Sequence, residues 1–71
     1  MARLKSLSKH LLITRLDRKM TRAALAEQTG VSALSIYNWE TGAVRPRDAN
    51  LTALCKALKL PIRATREMAD I

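Results

Sequence analysis

The chain has 71 residues, 13 of them Lys or Arg and 6 Asp or Glu, for a formal net charge of +7 at pH 7. A domain so short buries only about 60% of its unfolded surface and has room for one small core. The charge points to a polyanion, nucleic acid before an anionic membrane surface. One cysteine (Cys55) and one histidine (His10) exclude an intrachain disulfide and a Cys/His zinc site, so no metal and no cofactor are expected.

With 48% hydrophobic residues the chain is not disordered by composition. Leu and Ala dominate, Phe is absent, and Tyr37 and Trp39 are the only aromatics. That mix suits helices better than strands. No apolar run approaches the roughly 20 residues of a membrane span. Residues 1–20 are broken by charges, so no signal peptide is expected and a cytoplasmic protein is.

Residues 1–6, with Arg3 and Lys5, read as a basic N-terminal arm. A first helix is expected from Leu7 to Arg18, with Leu7, Leu11, Leu12 and Leu16 as its buried face and Ser6 or Ser8 as its cap. Thr21 suits the N-cap of a second helix, Arg22 to Thr29, with Leu25 inward. Gly30 ends it, since Gly enters the left-handed conformation of a helix stop without steric cost. Ser32 caps a third helix, Ala33 to about Thr41, burying Ile36 and Trp39, and Gly42 stops it.

Residues 42–47 read as a loop in which Pro46 biases Arg45 toward an extended conformation. Asp48 or Arg47 precedes a fourth helix that runs to Leu58, with Leu51, Leu54, Cys55 and Leu58 as a buried stripe. Cys55 reads as a small buried hydrophobe, and His10 as a surface residue. Leu60 and Pro61 break that helix. Pro61 suits the first turn of a short fifth helix to about Ala69, whose apolar residues are Ile62, Ala64 or Thr65, and Met68. The fold expected is all-α, a single compact domain of about five helices spanning residues 7–71.

Arg22 to Thr41 is the informative stretch. Two short helices meet at the three-residue turn Gly30-Val31-Ser32. A steep crossing there requires a small residue at the contact (Ala26), a Gly to turn, an apolar plug (Val31), and apolar anchors (Leu25, Ile36, Trp39). All are present at consistent spacing, which is the pattern of a helix-turn-helix. Thr29 departs from it, because a larger apolar residue is usual there. Residues 23–40 carry no Lys or Arg, whereas both flanks are basic. Two flanks on phosphate and a neutral middle on something else would produce that distribution.

These residues resemble the phage repressor/Cro-like helix-turn-helix family from about Leu7 to Leu60. Met20-Thr21-Arg22-Ala23-Ala24-Leu25-Ala26 is similar to the family's "LTQ-x-x-LA" opening, and Gly30-Val31-Ser32 to its "GVS" turn. Ile36-Tyr37-Asn38-Trp39-Glu40-Thr41-Gly42, followed by Pro46, resembles "I-x-x-W/L/I-E-x-G…P". Lys56-Ala57-Leu58-Lys59-Leu60 resembles "KALGV". Arg22 stands where the family has a phosphate-touching Gln, and Lys59 where it has a Gly, so either strain at Lys59 or a different helix end is expected.

The resemblance implies five helices and double-stranded DNA as partner, with the third helix in the major groove. It carries base contacts over to Ala33, Leu34, Tyr37 and Asn38, and backbone contacts to Arg22, Ser32 and Ser35. Because the reading helix holds no Lys or Arg, affinity is expected from Arg22, Arg45 and Arg47, aided by Lys9, Arg18, Lys19 and the arm. Arg15 matches a family Arg that pairs with the residue matching Glu40.

The function expected is a sequence-specific transcriptional regulator, a small phage- or plasmid-type repressor on a palindromic operator. Ile62, Met68 and Ile71 form a thin apolar set, so a weak homodimer or a monomer is expected in free solution. The alternatives weighed are an antitoxin or restriction-modification controller of the same fold, and a basic helical protein-interaction module. No pair of groups is spaced as nucleophile and base, so no catalytic residue and no enzyme activity are expected.

Overall fold

Local chemistry at the helix ends sets the element boundaries. In the computed structural model, which describes the backbone of residues 2–69 and the side chains of residues 7–68, the chain forms five helices. They are α1 (Ala2–Asp17), α2 (Arg22–Thr29), α3 (Ala33–Thr41), α4 (Asp48–Leu58) and α5 (Ile62–Ala69). Thr21 accepts a hydrogen bond from the Ala24 N–H into its side-chain oxygen, and Ser32 accepts one from the Ser35 N–H. Gly30 and Gly42 then stop α2 and α3 at φ +78° and +82°, the left-handed region that side-chain-bearing residues reach only at a cost.

The first helix departs from expectation at its start. Residues 2–6, read as an arm, have helical backbone continuous with α1, and the side chains of Arg3, Lys5 and Ser6 lie outside the described residues, as does Ile71. Ser8 is therefore not a cap: it sits inside the helix and is buried. A Cβ placed on Gly42 would lie 3.6 Å from the Ser8 hydroxyl oxygen, so the end of α3 comes down close over α1 at this small residue.

Leu16 also departs. It is 56% exposed, whereas Leu7 and Leu11 are buried. Nine residues of α-helix make about two and a half turns, so Leu16 points away from Leu7. Leu12, a quarter-turn and more from the core line, is only half-buried. The inner face is completed instead by Thr14 and Arg15, both buried.

The core is Leu7, Leu11, Leu25, Ile36, Trp39, Leu51, Leu54, Cys55 and Leu58. α1 packs on α3 and α5, α2 on α3 and α4, and α4 on α5. The expected α4 stripe is buried in full. Burial pushes the Cys55 thiol above its ordinary pKa, which keeps it protonated and inert as a nucleophile. α4 ends on Lys59 at φ +57°, the strain expected where Gly is absent. Lys19 after α1 takes the same conformation, at φ +56°.

In α5 the choice left open falls on Thr65. It is 1% exposed, and its hydroxyl donates to the Pro61 carbonyl at 2.8 Å, which makes burial of a polar group tolerable. Ala64 faces solvent, and Ile62 and Met68 rest on the margin of the core. No helix among the described residues is long and apolar enough to cross a membrane.

Candidate nucleic-acid interface

α2, the turn and α3 form the unit around which the candidate surface is built. The Gly30 N–H donates back to the Ala26 carbonyl at 2.8 Å, closing α2 while the chain reverses. Val31 and Ala26 pack against the core beneath the turn. Thr29, the departure from pattern, donates its hydroxyl to the Leu25 carbonyl at 2.8 Å. A polar side chain is thereby satisfied in place of an apolar one.

α3 is two-sided. Ile36, Trp39 and Glu40 are buried. Ala33, Leu34 and Tyr37 are exposed and Asn38 is half-buried. At 100° per residue these four span an arc of about 140°, opposite the buried face. Leu34 is 67% exposed and Tyr37 47%, a large uncharged surface on a helix whose other side is anchored. Beyond it, the Asn38 carbonyl accepts from the Ala43 and Val44 N–H groups at 3.0 and 3.2 Å, which ties the loop to the end of the helix.

Glu40 is the polar centre beneath this surface. Arg15 donates from Nε to Oε2 at 2.6 Å and from its NH2 group to Oε1 at 3.1 Å, the ion pair implied by the resemblance. A third Arg15 donor goes to the Met20 carbonyl at 2.7 Å. Buried charges persist only with their partners supplied in this way, and here the network joins α1, the chain leading to α2, and α3.

The expected backbone-contact residues are held differently from one another. Ser32 donates its hydroxyl to the Ser35 hydroxyl at 3.0 Å while capping α3, so these two act first on each other. Arg22 donates its Nε to Glu40 Oε1 at 2.9 Å, and its guanidinium carbon lies 5.1 Å from the centre of the Tyr37 ring, within cation–π range. No sequence signal reveals that contact, because Arg22, Tyr37 and Glu40 meet only when α2 folds across α3. Arg45 and Arg47 are exposed on the α3–α4 loop, where they line a cleft with residues of α5.

The family model described as "Helix-turn-helix" matches residues 3–64. The chain belongs to the Cro/C1-type helix-turn-helix family. No individual curated protein matches it. The match spans all of α2, the turn, α3 and α4, together with the caps just described, and members of this helix-turn-helix family are DNA-binding regulators.

Proposed function

We propose that this helix-turn-helix protein is a sequence-specific transcriptional regulator, a small phage- or plasmid-type repressor that places α3 in the major groove of a palindromic operator. The observation that carries this reading is the exposed, uncharged arc of α3 backed by buried Ile36, Trp39 and Glu40. In the groove, Asn38 pairs with adenine through the N7 and N6 positions, worth about 1–3 kcal/mol of discrimination. Ala33 and Leu34 offer apolar contact to thymine methyl groups, and Tyr37 presents its ring edge. Ser32, Ser35, Arg45 and Arg47 take the sugar-phosphate backbone on either side.

Arg22 acts in two ways in this reading. Its terminal nitrogens reach a phosphate, while its Nε bond to Glu40 and its position over Tyr37 hold that ring in one orientation on the reading face. Affinity then comes mostly from outside α3 and falls steeply with salt, because each neutralised phosphate releases counterions. Two copies on one face of the duplex would set their reading helices about 34 Å apart.

The test is selection of bound duplexes from a random pool, followed by titrations at several salt concentrations. A palindromic consensus is expected. Asn38→Ala should flatten preference at one base pair of each half-site, while Arg47→Ala lowers affinity for all duplexes alike and reduces the salt slope by about one. Recovery of no consensus, with the amides of residues 33–38 undisturbed by duplex, would overturn the reading.

A further inference from the structure

We propose that the cleft between the α3–α4 loop and α5 is a phosphate-binding site separate from the reading face of α3. The cleft has a volume of about 500 Å³. Pro46 and Leu51, both buried, contribute to its lining. Four arginines line it, Arg45 and Arg47 from the loop and Arg63 and Arg66 from the last helix. Asp48 and Glu67 also line it, so its net charge is positive. A concave surface with one dominant sign of charge and low-dielectric walls focuses its field on an anion inside it.

Guanidinium chemistry selects phosphate. Each fork offers parallel N–H donors that match two oxygens of a phosphate, and several forks at separate points on a rim suit a group carrying charge over three or four oxygens. Arg66 donates to both Asp48 oxygens, at 2.7 and 3.2 Å, so its fork is engaged by that carboxylate and the cleft's open fork on α5 is sought at Arg63. Arg63, three residues earlier, shares a face of α5 with Arg66 and is exposed. Arg47 lines the same cleft from the loop. The apolar lining leaves room for the sugar or ring of a phosphate ester beside these charges.

Two sources carry this chemistry, a phosphodiester of the DNA backbone and a free phosphate ester. Only the first rests on the DNA-reading role of α3. Both are tested on the full chain by amide and arginine Nε chemical-shift titration, with inorganic pyrophosphate, with a nucleoside triphosphate, and with a duplex of about 20 base pairs. Pyrophosphate is expected to produce saturable shifts at Arg47, Asp48, Leu51 and Arg63. Arg63→Ala should weaken its binding about five- to tenfold, with Arg63→Lys intermediate because charge remains but the fork is lost.

Lys56→Ala removes the same charge from an exposed position on α4 outside the cleft and should leave pyrophosphate binding unchanged. A duplex that shifts the cleft and displaces pyrophosphate assigns the site to the DNA backbone. Triphosphate held in the cleft while duplex shifts α3 alone assigns it to a free ester. Weak, unsaturable shifts spread over all basic residues with every phosphate probe, or equal losses for Arg63→Ala and Lys56→Ala, would overturn the site. Those results would leave the α3 reading standing if residues 33–38 still respond.

Discussion

Two arginine–carboxylate forks in this molecule have nearly the same geometry and opposite surroundings. Arg15 meets Glu40 at 2.6 and 3.1 Å, and Arg66 meets Asp48 at 2.7 and 3.2 Å. The side chains of the first pair are 6% and 2% exposed, those of the second 52% and 66%. Distance therefore does not rank them; burial does. An exposed pair competes with water and salt and is worth about 0–1 kcal/mol. A buried pair has already lost its hydration, so removal of one partner strands the other charge in a dry interior. The first fork clamps α3 to α1, and the second joins two residues that line a cleft.

The largest effect that would test this contrast is Glu40→Ala. It leaves Arg15 buried without its carboxylate and should cost about 3–5 kcal/mol. A chain of this length has about 4–10 kcal/mol in total, so denaturant titration should show a protein near the edge of unfolding. If Glu40→Ala costs no more than Asp48→Ala, the distinction by burial collapses. Arg15→Met combined with Glu40→Leu sharpens the point: the double variant should lose less than Glu40→Ala alone. Additive losses among Arg15→Met, Glu40→Leu and the double variant would mean that the fork carries no coupling.

Arg22 lies between the two extremes, with its side chain 39% exposed against a Glu40 partner at 2%. Arg22→Ala should cost about 1 kcal/mol, a charged hydrogen bond discounted for solvent. On DNA it should lower affinity for all duplexes and also change preference at the base pair facing Tyr37. A uniform loss with the preference intact would confine Arg22 to phosphate contact. The smallest effect belongs to Asp48→Ala, within about 0.5 kcal/mol of the parent, a difference that should shrink further as salt is raised. Thermal melts at low and high salt measure it.

The α2–α3 unit was legible because its boundaries are written in single residues. Thr21 and Ser32 cap, Gly30 and Gly42 stop, and each acts on N–H and carbonyl groups within four positions of itself. The α4 stripe was legible for the same reason of short range. α1 departs from its expected start and face: its helix extends back to Ala2 and Ser8 lies inside it, Leu12 is only half-buried, and Leu16 faces solvent. Leucine at every few positions permits several faces, and the one buried is decided by where α3 and α5 lie.

From the order of its residues alone, this protein's all-α class and its glycine helix stops could be derived, since caps, glycine turns and helical period act over a few bonds; the set Ala33, Leu34, Tyr37 and Asn38 is what the family resemblance implies. Tertiary packing decided that Arg22 shares Glu40 with Arg15 and lies over Tyr37, and that Arg45 and Arg47 meet Arg63 and Arg66 around one cleft. Those partners are 15 to 25 residues apart in sequence, and the pattern along the chain does not specify which distant charges will meet. That depends on how the helices cross, and the crossing is set by the shapes of the buried side chains all at once.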